Sequence, residues 1–477
     1  MLITELRRSN FTLFLFPAAT CDHARNMSST SINGRGELNQ LLRLAGPLIV
    51  NNLSIAGMNM ADAMMSGRLG ADALAAVAVG GSVWLLAFTL ALGVLMAISP
   101  IAARYFGAGR PDMIGRYSRQ GMYIAVAYGI PVVVFGQFLV GPLLALIGID
   151  TAFRNLTTSY VGAIAWGAPA IYVFLALRFT TEGIGRTTPI MYTSVFAFVC
   201  NVFLNYVLMF GKFGFPAMGV VGCGLASAIT MWLVALVFAW HIVVAPAYKP
   251  LKIFARLAPP RPEVLREIIA LGLPIAITIT AEVGLFAGMS ILIGTRGTEI
   301  TAAHQIALNF ASTAFMVPLA LSSAITIRVG QLLGRGDPAA ARRAGGIGIV
   351  VCAGFMAASA IVLLVFPDFI VGMYTSDPVV SGIAVSLLLV AAIFQVADGV
   401  QIGAAGGLRG YKDTGIPMAI NLFAYWLVAF PLAYLATITY VMPANFIWGA
   451  FVAGLTLAAV LLTWRFARLS RNSLTAS

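Results

Sequence analysis

The chain has 477 residues, of which 60% are apolar and only 10% charged, and its formal net charge at pH 7 is +12. So few polar side chains could not cover a soluble globule of this length, which excludes a soluble enzyme or binding module and predicts a polytopic membrane protein. The basic excess is no sign of nucleic acid as a partner, because the Lys and Arg residues sit in short segments between apolar runs rather than on one soluble patch.

Arg7 and Arg8 precede a short apolar run at residues 11–16. That run is too short for a secretory signal and lacks a small-residue cleavage pattern, so residues 1–43 read as a cytoplasmic tail, with Met27 as an alternative start. Twelve apolar runs then follow, each long enough to cross a bilayer as a helix of about 20 residues. The first six cover 44–66, 77–101, 119–145, 159–181, 187–210 and 219–245, and the second six cover 268–294, 301–327, 344–367, 379–407, 415–438 and 445–464. The fold class expected is therefore all-α integral membrane. Its parts are an amino-terminal six-helix lobe at 44–245, a proline-rich cytoplasmic linker at 246–267, a second lobe at 268–464 and a cytoplasmic tail at 465–477.

The two lobes are copies of one unit. Shifted by 227 positions, Pro47, Gly57, Phe88, Gly107 and Arg116 fall on Pro274, Gly284, Phe315, Gly334 and Arg343. Gly183, Thr187 and Met191 fall on Gly410, Thr414 and Met418 in the same ungapped register. Internal repeats of this kind are a mark of transporter folds. With the amino terminus in the cytoplasm, only Arg68, Arg154, Lys212 and Arg296 of the 29 Lys and Arg fall outside, so both termini are expected in the cytoplasm.

Three of the 17 acidic residues lie within apolar runs: Asp62, Glu282 and Asp398. No Lys or Arg sits at mid-span to neutralise them, and an unpaired carboxylate in the membrane is costly enough to mark an ion or substrate site. Each has polar company at helical spacing: Asn52 and Asn59 with Asp62, Thr278 four residues before Glu282, and Gln395 and Gln401 three residues either side of Asp398. Gln305, Asn309 and Ser312 share a face beginning beside His304, and Asn201 and Asn205 form an i, i+4 pair. Together these stripes predict a polar cavity between the lobes.

A desolvated carboxyl can take up a proton on one side of the membrane and release it on the other, or hold a monovalent cation with help from nearby oxygens. One positive charge moving inward across about 100 mV releases about 2.3 kcal/mol, enough to drive export of a competing solute. Neither GxxxxGK[ST], HExxH nor GxSxG occurs, so no ATP drive, no catalytic metal and no enzymatic activity are expected. Cys21, Cys200, Cys223 and Cys352 show no CxxC spacing and read as small packing residues.

Three stretches carry a resemblance: NMADAMMSGRLGADALAAVAVG from Asn59, AAHQIALNFASTAFMVPLALSSAITIRVGQLLGRGD from Ala302, and VADGVQIGAAGGLRGYKDTGIPM from Val396. They resemble the multidrug and toxic compound extrusion (MATE) family, particularly its NorM-type branch, over about residues 38 to 465. The resemblance implies two six-helix lobes around a V-shaped cavity in a bacterial cytoplasmic membrane. It implies export of organic cations in exchange for Na+ or H+, without a cofactor, by a protein expected to act as a monomer. It matches Asp62, Glu282 and Asp398 to the coupling acids, with Glu282 and Asp398 as the Na+ ligands where Na+ is the ion, and Asn201 and Asn205 to the first-lobe asparagines. Sodium-using members commonly carry a Tyr four residues before the Asp of the tenth span; here Phe394 stands there, which weakens the sodium case. The alternatives are another cation-coupled metabolite exporter and a lipid-linked oligosaccharide flippase of the same superfamily, though the anionic cargo of the flippase calls for basic cavity residues.

Overall fold

The computed structural model describes residues 34–254 and 259–475. The tail before residue 34, including the Met27 alternative, lies outside them. The first lobe consists of α1 (Gly34–Gly67), α2 (Ala71–Gly107), α3 (Pro111–Leu146), α4 (Thr151–Ala165 continued by Ala168–Gly183), α5 (Thr188–Phe210) and α6 (Gly219–Val244). The second consists of α7 (Pro262–Gly294), α8 (Thr298–Gly334), α9 (Pro338–Val365), α10 (Pro378–Gly410), α11 (Gly415–Thr439) and α12 (Ala444–Thr475). Eleven of these are long and apolar enough to cross a membrane; α4, bent by 46° between its two halves, makes the twelfth. Large apolar side chains such as Phe138, Leu146, Phe203, Val350 and Leu427 point outward, as a lipid-facing surface requires.

Several helices outrun the apolar segments that announce them. Helix α1 begins at Gly34 rather than 44, α3 at Pro111 rather than 119, and α7 at Pro262 rather than 268, while α12 runs on to Thr475. The extra turns carry the charges that keep hydropathy low, yet Pro at the first helical position of α3 and α7 suits a helix start, where its missing N–H costs nothing. The linker is shorter than expected for the same reason. Its turn at Pro246–Leu251 buries Tyr248 and Leu251 against the first lobe, and this burial pushes the Tyr248 hydroxyl up to about 12. Helix α3 holds the linker down: Arg119 donates Nη1 to the Lys252 carbonyl at 2.6 Å, and Gln120 both donates to the Pro259 carbonyl at 3.2 Å and accepts from the Arg261 amide at 2.9 Å.

Helix α11 departs from α geometry at Phe423–Ala429 and again at Leu435–Thr439, both wide π turns, and α3 does so at Phe135–Leu139. In α3 the irregular stretch follows Pro131, and in α11 the second follows Pro431, where the missing proline N–H interrupts the ladder. The first π turn of α11 carries Tyr425, fully buried, toward α10.

Among the described residues the lobes pack together at one end and from there inward, where α2 meets α7 at Gly93 and Ala276. The starts of α1, α7 and α9, the ends of α2, α8 and α12, and the linker all lie at that end, by the alternation of the helices. There an apolar cluster mixes Leu41 and Ala45 of α1 with Leu321, Ile325 and Val329 of α8 and Ala344 of α9. Close backbone approach is reciprocal between the copies. A Cβ on Gly107 would stand 2.0 Å from the Gln331 carbonyl oxygen, and one on Gly334 would stand 2.0 Å from that of Arg104, its counterpart at the 227-residue offset.

Candidate functional site

Hydrogen bonds between the lobes gather toward the linker end. At the linker end Arg328 of α8 donates Nε to Glu37 Oε1 at 2.5 Å and Nη2 to Glu37 Oε2 at 2.9 Å. Gln331 donates to the Gly183 carbonyl at 3.0 Å, and Tyr117 donates to Glu267, which also takes Lys412 Nζ at 2.9 Å. Farther along, Asn52 of α1 donates to the Met316 carbonyl of α8 at 3.1 Å. Beyond this bond no hydrogen bond joins the lobes among the described residues. Asn59 lies on the Asn52 face of α1, and Gln305, Asn309 and Ser312 lie on the Met316 face of α8. All four are exposed there, so the two polar faces flank an opening directed away from the linker. Asn309 accepts from the Tyr374 hydroxyl at 3.2 Å.

In the first lobe, α5 brings Asn205 to Asp62. Its Nδ2 donates to Asp62 Oδ1 at 2.5 Å and to Asn201 Oδ1 at 3.1 Å, while Asn201 donates to Ser227 Oγ of α6 at 3.3 Å. Asn201 and Asn205 are buried, and Asp62 is half-buried at the outer part of α1. Asn205 Oδ1 is left without a partner in the interior. The i, i+4 asparagine pair therefore works as one clasp on a single carboxylate.

In the second lobe, Asp398 of α10 is 4% exposed and Glu282 of α7 is half-buried, and the two are within electrostatic range of each other. Among the described residues the ion pairs are Arg178–Glu182, Arg328–Glu37, Lys412–Glu267 and Arg465–Asp413, so neither Glu282 nor Asp398 is in one. Around them stand polar groups with unmet capacity. Gln395 is fully buried with both amide atoms unpartnered, and Gln401 donates to the Tyr425 hydroxyl at 2.9 Å with its own oxygen unpartnered. Tyr425 feels both Glu282 and Asp398 electrostatically. Thr278, half-buried one turn before Glu282, spends its hydroxyl on the Pro274 carbonyl at 2.8 Å. No group of three or more His, Cys, Asp or Glu gathers among the described residues, so a cation here would rest on the two carboxylates with neutral oxygens.

Phe394 and His304 both sit in the interior of the second lobe. Phe394 is 3% exposed and packs edge-on against Phe286, Trp448 and Phe451 in the apolar core of the second lobe. His304 is fully buried: Trp448 Nε1 donates to its Nδ1 at 3.1 Å, which leaves Nε2–H for Ser290 Oγ at 3.0 Å. A neutral imidazole held at both nitrogens is a packing group.

The expectation that no fixed positive charge stands near the acids needs correction. Arg409, 9% exposed at the end of α10, is within electrostatic range of Glu282 and of Glu182 in the first lobe. Its Nη2 donates to Ser322 Oγ at 2.6 Å and its Nη1 faces Met96 Sδ of the first lobe at 4.0 Å. Glu182, 1% exposed, accepts from Arg178 Nε at 2.8 Å. Hydropathy misses Glu182 and Arg409 because each lies just past its apolar run. The repeat could have found them, since Glu182 plus 227 is 409: equivalent positions of the two copies carry opposite charges.

The family model MatE matches residues 47–207 and 274–435, so its two copies start 227 residues apart, at the spacing of the internal repeat. The multidrug resistance protein PmpM of Pseudomonas aeruginosa is 37% identical over 448 residues, covering 93% of this chain and 94% of that protein. The multidrug resistance protein MdtK of Yersinia enterocolitica is 38% identical over 442 residues, covering 91% and 96%. Among solved structures, an outward-facing multidrug resistance MATE family transporter superposes with a TM-score of 0.85 at 18% identity, covering 92% of this chain and 97% of that one. With the repeat, the two lobes and these matches in agreement, the chain belongs to the MATE family and sits among its NorM-like members.

Proposed function

We propose that this protein exports organic cations and other amphiphilic drugs from a bacterial cell in exchange for Na+ or H+, by alternating access between the two lobes. The observation that carries this reading is the pair Glu282 and Asp398, half-buried and buried within one lobe with no ion-pair partner among the described residues. Such a pair is costly without a mobile cation, so cation and cationic drug compete for the same negative cavity. Similarity to proteins named for multidrug resistance supports the cargo class. The chain would work as a monomer in the cytoplasmic membrane with both termini inside, needing no cofactor and catalysing no covalent chemistry. The opening directed away from the linker then faces the outside, the state in which drug leaves and cation enters.

Efflux of ethidium from proteoliposomes, with Na+ and pH gradients imposed separately, tests it. Export driven by one gradient is expected and names the ion. Correctly reconstituted protein that moves ethidium under neither gradient overturns the exchange reading.

A further inference from the structure

Five cations gather where the linker meets α3 and α7. Arg119 donates Nη1 to the Lys252 carbonyl at 2.6 Å and Gln120 accepts from the Arg261 amide at 2.9 Å, so backbone bonds bring Lys252 and Arg261 to one turn of α3. Gly115 has no room for a Cβ beneath the Leu251 carbonyl, which lets the linker lie directly on the helix. Arg116 is one turn before Arg119, and Arg266 stands in the second turn of α7. Lys252, Arg261 and Arg266 are exposed, and none of the five is in an ion pair among the described residues. Glu267 is taken by Lys412, and Asp112 and Glu263, in the first turns of α3 and α7, pair with none of them.

An apolar crevice opens deeper along the same helices. There α2 and α7 cross backbone to backbone, with no room for a Cβ on Gly93 beside Ala276 or on Gly272 beside the Val94 carbonyl. Next to this crossing Leu90 and Val94 of α2, Ile124 and Tyr128 of α3, and Leu273 and Ala276 of α7 line a space of about 260 Å³. Tyr128 donates its hydroxyl to the Ala87 carbonyl at 3.3 Å, so the lining offers a ligand no free side-chain donor. One face of α7 joins the cations to the crevice: Arg266, Ile269 and Leu273, at i, i+3 and i+7, are all exposed, Ile269 at 44% and Leu273 at 47%. Seven residues of helix from Arg266 to Leu273 rise about 10 Å, and five from Arg119 to Ile124 about 8 Å. The headgroup layer of one leaflet is about 5–8 Å deep. A phosphate among the arginines therefore places the start of its acyl chain at the mouth of the crevice.

We infer that this seam binds an anionic phospholipid of the leaflet at the linker end, with its phosphate among Arg119, Arg261 and Arg266 and one acyl chain in the crevice between α2, α3 and α7. That leaflet is the cytoplasmic one in the orientation proposed above. Cations without acid partners select a negative headgroup, and the apolar crevice selects a chain. A cationic amphiphile would fit the crevice but be repelled at its mouth. Helices α2 and α3 belong to one lobe and α7 to the other, so a seated chain touches both and favours the arrangement that shuts the linker end.

Native mass spectrometry of the delipidated protein, titrated with phosphatidylglycerol or phosphatidylcholine of equal chain length, reads the site directly. The first lipid bound is expected to be phosphatidylglycerol by at least about tenfold in affinity, and inorganic phosphate should not displace it, because the chain supplies part of the binding. Arg261→Gln combined with Arg266→Gln alters only exposed side chains. It should weaken phosphatidylglycerol about 25-fold, about fivefold for each charge removed, and leave phosphatidylcholine unchanged. Leu273→Trp narrows the crevice and should weaken both lipids alike; should it fail to insert, Leu273→Ser, which strips the mouth of its apolar side chain, is expected to do the same. Equal affinity of the wild type for the two lipids, or wild-type affinity for phosphatidylglycerol in the double arginine variant, overturns the inference. Ethidium binding that Leu273→Trp abolishes while phosphatidylglycerol binding persists would give the crevice to drug and overturn it too. In vesicles, spin labels at the linker end should report more of the closed arrangement with phosphatidylglycerol than with phosphatidylcholine, a difference that the double arginine variant should lose. The same distance distribution in both lipids would refute the contact with both lobes.

Discussion

Arg328 and Glu37, separated by 291 positions in the chain, meet in a two-pronged ion pair at 2.5 and 2.9 Å that ties the second lobe to the first helix of the other. Both side chains are nearly sealed from solvent, Arg328 at 2% and Glu37 at 5% exposure. Any inward-opening motion must separate them. The pair is therefore a clasp on the closed end, strong while water is excluded and weak once water enters.

Glu37→Gln strands a buried guanidinium, which typically costs about 3–5 kcal/mol. The expected result is a lower melting temperature in detergent and readier labelling of cysteines placed at the linker end. Replacing both partners with apolar residues, Glu37→Leu with Arg328→Met, should recover most of the thermal stability, because no unpaired charge remains. Equal melting of the single and double variants would show that the pair bears no load.

How much of this was legible before any coordinates depends on what each residue's neighbours reveal. Glu282 and Asp398 stand out because an acid inside an apolar run is rare and expensive. Asn201 and Asn205 follow from helical spacing, and so does the exposed face of Gln305 and Asn309. Glu37, Glu182, Arg328 and Arg409 escape because each lies outside the apolar runs read from the sequence, where hydropathy has already fallen and a loop is the natural reading. Glu37 and Arg328 are buried against each other across the lobes, a contact that no local window contains. Tyr425 is one aromatic among many; only the π turn that carries it and the bond from Gln401 single it out. Phe394 stands where sodium-using relatives commonly carry Tyr, and its ring packs in the core of the second lobe.

Asp398→Asn keeps the shape of the side chain and removes its charge. Coupled ethidium efflux should fall by at least about tenfold while membrane insertion stays normal, since an amide is easier to bury than a carboxylate. Efflux at the wild-type rate from a well-inserted variant would take Asp398 out of the mechanism.

Asp62 is expected to tune rather than decide. Asp62→Asn retains an oxygen for Asn205 Nδ2 and should change stability by only about 1 kcal/mol, but it removes the negative charge of the first lobe and should weaken uptake of cationic drugs more than of neutral ones. Asn205→Leu leaves the Asp62 carboxylate without its clasp and should cost more, about 1–3 kcal/mol, read as lower yield and melting temperature. Identical losses for cationic and neutral drugs in Asp62→Asn would argue against a charge role.

Gly107 and Gly334 permit the reciprocal backbone approach that shuts the linker end. A methyl group at either position would stand 2.0 Å from a carbonyl oxygen of the other lobe, inside any tolerated contact. Gly334→Ala should therefore prop that end open, shifting the population away from the outward-open form and slowing drug release. Distances between spin labels at the two ends measure the shift, and an unchanged distribution in Gly334→Ala would mean that the approach is not needed for closure.

The orientation in the membrane is open to a direct contrast between two exposed lysines. Lys249 lies on the linker and Lys212 in the turn between α5 and α6, at opposite ends of the helices. With Cys21, Cys200, Cys223 and Cys352 replaced by Ser, Lys212→Cys should react with a membrane-impermeant maleimide added to intact cells, and Lys249→Cys should react only after the cells are opened. The reasoning is electrostatic: the linker end carries most of the Lys and Arg, and short basic segments stay on the cytoplasmic side. The reverse labelling pattern would invert the molecule, turn its opening toward the cytoplasm, and make the drug-loading state of what is read here as the drug-releasing one.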